Sequence, residues 1–420
     1  ESGEFKVFYQ NNNGREGMIV WLDALAIRAF GTEPWALRLF PAIAGVLAVL
    51  GLYFLTRELF SVETALVSSF FMATSFWSVN FSRIGFRAGL MVPILIWSFY
   101  FLVRGFTKTP EVGLRVFWWL NFVLGGILFG LGFYTYISYR FTPILIAAFF
   151  IPYLIKRRVK NLWMGFVIFV VVAFVVALPI GLYFLNNPGD FFGRSGQVSI
   201  FSADNQLRAA ALSIVTTLGM FNVIGDFNWR HNFSGSPQLF WPVGILFLLG
   251  ICLSIKEFSF SEKFLLLWFL IFLLPNILTA ESNPHALRSL SAMPAAMIFA
   301  GIGLVWLYKK FQGYLDENLK NQKFTKFQVQ LLRIKKEIFW LLIVFLIFIA
   351  GSEFNKYFNL WAFNPNVAGA FSQSQFRIAD YLNNLPKETE KYAIWDASDR
   401  ATDNGLPVSA QTVYFLTTEK

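Results

Sequence analysis

The sequence predicts an all-α, polytopic membrane protein, and three observations predict it. Of 420 residues, 56% are hydrophobic and only 14% charged, too few charges to coat a soluble globule of this size. The apolar residues gather into ten blocks, most of them long enough to cross a hydrocarbon core of about 30 Å. The basic residues concentrate in alternate gaps between those blocks, the bias that orients membrane helices.

Gly3 to Arg38 opens the chain with polar, turn-rich sequence, Asn11 to Asn13 and Gly14, and then presents Arg15 and Glu16. Met18 to Phe30 has the pattern of an amphipathic helix, interrupted by Asp23 and Arg28; Gly31 and Pro34 end it. Spans are expected near 36–56, 63–81, 87–104, 115–135, 138–155, 162–185, 239–256, 264–280, 292–309 and 337–352, since a helix is the only open-ended way to satisfy backbone groups in lipid. Pro93, Pro143, Pro179 and Pro275 lie in or near spans and are expected to kink them. The longest connection, Asn186 to Gln238, carries an apolar stretch from Leu207 to Val223 that reads as a helix lying in the interface. Beyond Phe354, the residues Phe371, Ile378, Ala379 and Leu382 mark one helical face, followed by strand-like Lys391 to Trp395 and Thr412 to Leu416. The expected organisation is a transmembrane domain over 1–352 and an incomplete, α/β-like extracytoplasmic segment over 353–420. The chain shows neither a signal peptide nor an initiator Met and is expected to be cut from a longer one.

A net charge of +10 is assigned to orientation and to anionic lipid, not to nucleic acid, because the basic residues sit in short loops. The loops holding Lys156, Arg157, Arg158 and Lys160, then Lys256 and Lys263, then the eight Lys or Arg from Lys309 to Lys336 are cytoplasmic by this rule. The alternate loops and both ends then lie outside. The single cysteine, Cys252, lies within an apolar block and has no partner for an intrachain disulfide.

Seven basic residues occupy the outside loops between Ala36 and Ser352: Arg83, Arg87, Arg140, Arg194, Arg208, Arg230 and Arg288. None is Lys, although orientation is served equally by either. Arg is favoured where a planar fork must hold phosphate or carboxylate; the alternative is that these side chains snorkel at helix ends. Arg83 and Arg87, four apart, would share a face of a continuous helix. With Arg288 they are expected to converge on one anionic pocket.

The only two histidines, His231 and His285, both fall in outside loops beside an Arg. Each suits a metal ligand, a proton carrier or a phosphate donor. Glu16 is the outside carboxylate nearest the first block. With a histidine and phosphate oxygens it would suit a divalent cation, and without them it would be a plain ion pair with Arg15. Asp190, Asp204, Asp226 and Glu281 are rival carboxylates. Phosphate-binding loops, dinucleotide fingerprints, His-Glu-x-x-His and Cys-based metal motifs are absent from the sequence, which argues against nucleotide chemistry.

The chain resembles the bacterial GT-C glycosyltransferases, the group of protein O-mannosyltransferases and lipid A aminoarabinose transferases (glycosyltransferase family 39 type). The resemblance covers nearly the whole chain. It rests on Glu1-Ser-Gly-Glu-Phe leading to Phe30-Gly31, on Trp35-Ala-Leu-Arg38-Leu-Phe-Pro41-Ala, and on Phe81-Ser-Arg83-Ile-Gly-Phe-Arg87-Ala. It continues through Gly132-Phe-Tyr134-Thr-Tyr136 with Arg140, Asn228-Trp-Arg-His231-Asn, and Asn283-Pro-His285-Ala-Leu-Arg288.

The resemblance implies transfer of a sugar from a polyprenyl-phosphate carrier to a protein or glycolipid acceptor at the outer face of the cytoplasmic membrane. It also implies a catalytic Asp after an initial span; Glu1-Ser-Gly resembles the residues just past it, which sets that Asp and span ahead of residue 1. Arg83, Arg87, Arg140, Arg230, Arg288 and Tyr136 would hold the donor phosphate. Glu16, His231 and His285 would hold a divalent metal, although Gly17-Met18 stands where several members carry Lys-Pro or Pro-Pro. The alternative from another class is a transporter or flippase for a lipid-linked or anionic solute, but transporters tend to place their sites at the bilayer midplane.

Overall fold

A computed structural model describes residues 5–10, 14–108, 115–197, 199–202, 204–320, 326–386, 388–395 and 405–417. The turn residues Asn11 to Asn13 and part of the basic run from Lys309 to Lys336 lie outside the described residues. The chain opens with a short antiparallel hairpin, β1 Phe8–Tyr9 and β2 Arg15–Glu16, in which Phe8 faces Glu16 and Tyr9 faces Arg15. Gly14 enters β2 at φ +80°, a conformation that glycine adopts without a Cβ clash. Two backbone bonds then lock the hairpin down: Gly17 N–H donates to Val7 O and Met18 N–H to Tyr134 O.

Helix α1, Met18–Phe30, follows at once and ends at Gly31, φ +78°. Then come α2 Ala36–Leu59, α3 Val62–Thr74, α4 Phe76–Arg83, α5 Ala88–Thr107, α6 Arg115–Gly132, α7 Thr142–Arg157 (entered by a 3₁₀ turn, Ile137–Phe141) and α8 Lys160–Asn186. The long connection holds α9 Pro188–Gln197 and α10 Gln206–Gly219, the latter helical over most of the apolar stretch from Leu207 to Val223. Next are α11 Trp241–Glu257, α12 Phe260–Ile277, α13 Met293–Lys320, α14 Lys326–Phe354, α15 Pro365–Ala370, α16 Gln373–Asn384 and α17 Gln411–Thr417.

Seven helical stretches among the described residues are long and apolar enough to span: Ala36–Leu59, Ala88–Thr107, Ile137–Arg157, Lys160–Asn186, Phe260–Ile277, Leu290–Glu317 and Glu337–Trp361. Of the other three expected spans, α3 has 13 residues and α11 has 17, while α6, with 18, equals α12 in length. The 63–81 block is two helices, not one, because Ser75 is extended at φ −61°, ψ 132°. That break frees the N–H of Phe76, which donates to the buried Glu353 side chain, an acceptor at the N-terminal end of α4. Pro143 sits in the first turn of α7, where its missing N–H costs nothing, so it starts that helix and does not kink it.

The core is built around α5, whose Leu95, Ile96, Phe99, Leu102 and Val103 are fully buried between α2, α6 and α12. Phe99 meets Trp268 edge-on, with ring centres 5.0 Å apart. Helices α11 and α13 approach most closely where Gly250 faces the Phe299 carbonyl and Gly303 faces the Leu246 carbonyl, leaving no room for a Cβ at either crossing point.

Helix α14 does not stop at residue 352. It continues as wide, π-type turns over Asn355–Trp361 and buries Tyr357 and Trp361 against Phe76. The strands expected beyond it are absent among the described residues. Thr412 to Leu416 lies in α17, which buries Val413 and accepts from Asn383 Nδ2 of α16 through Leu416 O. Lys391 to Trp395 has no regular structure, and its Tyr392 and Ile394 are exposed. A β pattern without a neighbouring strand cannot satisfy its backbone, and helix pairing took the one stretch that had a partner.

Candidate active site

The hairpin and four connections at one end of the bundle enclose a cavity of about 600 Å³. The hairpin contributes Glu16, the α4–α5 turn Arg87, the α6–α7 turn Tyr136 and Arg140, and the loops before α11 and α13 contribute Arg230, His231, His285 and Arg288. Glu16 is 3% exposed, and two guanidinium groups offset its buried charge. Its Oε2 lies 3.0 Å from Arg87 Nη1 and its Oε1 3.7 Å from Arg140 Nη2. Arg87 Nη1 also donates to Gly14 O at 2.9 Å, so β2 and the start of α5 are clamped together. Arg140 donates to Phe191 O at 2.7 Å and lies over the rings of Phe184 and Phe191. A carboxylate with two arginines leaves this corner net cationic. Five arginines line the cavity, Arg15 included, against three carboxylates, Glu16, Asp190 and Glu281.

Tyr136 lies under Arg87, its ring centre 5.4 Å from the guanidinium carbon. Burial pushes its phenol up and outweighs the lowering by Arg87 and Arg288. It therefore stays a neutral hydrogen-bond donor at physiological pH.

The second half of the site is a buried Asp226–His231–His285 cluster. His231 Nδ1 lies 3.0 Å from Asp226 Oδ2, and His285 Nδ1 lies 3.8 Å from the same oxygen. The two imidazole centres are 4.7 Å apart, and His231 stacks on Phe81 with Phe86 at its edge. Asp226 also accepts from Ala286 N–H at 2.8 Å and Asn228 N–H at 2.7 Å. Burial would raise the Asp226 carboxyl, but His231, His285 and the Asn228 N–H outweigh it and hold it below the usual range. The two loops are fixed from outside the site. Asn80 Nδ2 and Trp361 Nε1 donate to the carbonyls of Arg230 and Trp229, and Asn283 Nδ2 donates to Ser213 Oγ on α10.

One candidate ligand atom from each of Asp226, His231 and His285 lies within 4.8 Å of the others. Two imidazoles and a carboxylate form a donor set suited to a divalent transition metal or zinc. These residues can hold a metal ion.

Residues 17–183 match the family model of dolichyl-phosphate-mannose-protein mannosyltransferases. ArnT from Cupriavidus metallidurans, solved bound to undecaprenyl phosphate, superposes over 96% of this chain and 77% of its own, with TM-score 0.57 and 15% identity. The chain shares the fold of that protein. The Archaeoglobus fulgidus oligosaccharyltransferase, solved in complex with Zn and sulfate, gives TM-score 0.53 at 16% identity, over 95% of this chain and 52% of its own. A comparison with curated protein sequences found no match.

Within this fold, most of the residues singled out from sequence meet at one cavity: Glu16, Arg87, Tyr136, Arg140, Arg230, His231, His285 and Arg288 all line it. Arg83 does not. The helix carrying it ends there, Gly85 turns the chain at φ +73°, and α5 begins only at Ala88, so Arg83 and Arg87 share no helical face. The Arg83 guanidinium lies instead over the rings of Tyr357 and Phe358. Arg208 is exposed on α10 and is not among the cavity residues; the side chain of Arg194 lies outside the described residues. Glu16 is not the carboxylate of the histidine cluster, since it is held by Arg87 and Arg140; Asp226 takes that place. The spacing Asp226-x-Asn-x-x-His231 in a turn-rich loop carried that signal, but nothing in it ranked Asp226 above the other loop carboxylates.

Proposed function

We propose that this protein transfers a sugar from a polyprenyl-phosphate carrier to a protein or glycolipid acceptor at the outer face of the cytoplasmic membrane. The observation that carries the reading is the cavity's charge: five arginines around a buried Glu16, at one end of an apolar bundle. In that reaction the bond between the sugar's anomeric carbon and a phosphate oxygen breaks. The acceptor oxygen bonds to the same carbon, and its proton passes to a carboxylate base. Negative charge grows on the departing phosphate, and donors fixed in advance around that position stabilise the transition state most. Arg87, Arg140, Arg230 and Arg288 supply charged donors, and Tyr136 supplies a neutral one. A divalent cation bound at Asp226, His231 and His285 would add positive charge beside the same phosphate. The undecaprenyl phosphate of the ArnT structure and the family match over 17–183 support a lipid-linked donor.

The test is reconstitution of the full-length chain in liposomes with a panel of radiolabelled polyprenyl-phosphate sugars and with peptide or glycolipid acceptors. Label moving to the acceptor with release of polyprenyl phosphate is the expected result. Labelled donor crossing the bilayer uncleaved would establish a flippase and refute the transferase.

A further inference from the structure

A second cationic place lies outside the cavity. Arg83 ends α4, and Arg38 sits in the first turn of α2. A Cβ on Gly85 would stand 3.6 Å from the Leu37 carbonyl oxygen, so the end of α4 lies beside the start of α2. Both arginines also act electrostatically on Tyr357. The Arg83 guanidinium carbon is 5.6 Å from the Tyr357 ring centre and 5.3 Å from that of Phe358. Both are exposed, and among the described residues neither pairs with a carboxylate. Arg38 moreover stands at a helix N-terminus, where the dipole disfavours a cation.

Along the membrane helices from this place runs an apolar hollow of about 510 Å³ between α3 and α14. Phe70, Ile343, Leu346, Ile347, Ala350 and Phe354 line it, and its volume lies in the range of about 300–1,000 Å³ that small-molecule sites occupy. Phe354 joins the two features, since its ring centre is 4.5 Å from that of Phe358, over which Arg83 lies. Helix α14 and its extension are the least enclosed of the seven spanning stretches, so the hollow opens toward lipid.

We propose that the α3–α14 hollow and the Arg38–Arg83 pair form a binding site for one anionic phospholipid, with an acyl chain in the hollow and the phosphate on the two arginines. The charge selects the occupant. A zwitterionic headgroup would bring its own cation to two arginines, and a second copy of this chain in the hollow would leave both without an anion. The site is separate from the cavity and holds no residue of it, so it stands whether or not the chain transfers sugar.

The experiment uses the full chain in nanodiscs of phosphatidylcholine doped with phosphatidylglycerol bearing a photoactivatable diazirine acyl chain, with adducts mapped by peptide mass spectrometry. Labelled phosphatidylcholine serves as the comparison. Adducts from the glycerol lipid should concentrate on α3 and the C-terminal half of α14. Arg38→Gln with Arg83→Gln should cut them roughly thirtyfold, at the usual contribution of each basic residue beside anionic lipid, and leave the phosphatidylcholine adducts unchanged. Gly351→Leu, where an added Cβ meets open space, should expel both lipids from the hollow without touching the arginines. Equal labelling of the hollow by both lipids in the parent chain would overturn the proposal. So would unchanged adducts in the arginine double variant, or displacement of the label by polyprenyl phosphate more readily than by phosphatidylglycerol.

Discussion

Glu16→Gln isolates what holds the hairpin to the bundle. The substitution keeps the side chain's shape and removes its charge, leaving the partly buried Arg87 and Arg140 without their shared anion. Their side chains are only 13% and 17% exposed, so water compensates little. Breaking a buried ion pair from one side costs about 3–5 kcal/mol, and that is the loss of unfolding stability expected here. The two arms differ in strength. At 3.0 Å the Arg87 ion pair is closer than the Arg140 ion pair at 3.7 Å, and Coulombic attraction weakens with separation. A double-mutant cycle with Arg87→Gln should therefore give the larger coupling, within the range of about 0.5–3 kcal/mol found for contacting groups, and a cycle with Arg140→Gln the smaller. Unfolding of the reconstituted variants would be followed by tryptophan fluorescence. If Glu16→Gln lies within about 0.5 kcal/mol of the parent, the range of ordinary surface substitutions, or if both cycles are additive, the clamp described here does not exist.

The arginines should sort by position: Arg87→Lys and Arg288→Lys should slow sugar transfer by about 10- to 100-fold through loss of the planar guanidinium fork, with the charge kept, while Arg83→Lys leaves the rate near the parent's, all measured on the reconstituted chain. Asp226→Asn and His231→Ala should each abolish retention of divalent metal, read by elemental mass spectrometry after dialysis; equal metal content in parent and variants would dismiss the cluster as its binding place. Burial raises the carboxyl of Asp23 on α1 from 3.8 to about 7, so the folded state holds a proton that the unfolded state releases, and stability falls as pH rises from 3.8 to about 7. Asp23→Asn should then stabilise the protein at pH 8 and leave it unchanged at pH 3, and equal effects at both would contradict the assignment. Reporter fusions beyond Phe354 should be active only outside the cytoplasm; activity of a cytoplasmic reporter there would reverse the orientation.

Much of the site was legible because membrane sequences separate their signals. Lipid admits few charges, so Glu16, Arg87, Arg140, His231, His285 and Arg288 stood out from an apolar background, and the Arg-only bias of one set of loops marked the arginines among them. What failed were inferences that assumed a continuous helix or a self-sufficient strand. Arg83 was joined to Arg87 by helical spacing, but the turn at Gly85 parts them. Thr412 to Leu416 alternates like a strand, but only a helical neighbour was there to pack against.

The sequence by itself determined the class of protein, the approximate places of its spans and the residues with chemistry to offer, because those follow from hydropathy and from which side chains ionise. Only the tertiary structure decided partnership. Glu16 could have served a metal with the histidines or paired with Arg15. It is committed to Arg87 and Arg140 by the way the hairpin lies against the starts of α5 and α7. Asp226 was one loop carboxylate among several until two loops more than fifty residues apart closed on it, bringing His285 and the Ala286 N–H to its Oδ2. The physical reason is range. Burial and secondary structure are largely local in sequence, whereas the pairing of buried charges depends on which loops the packing of the helices brings together.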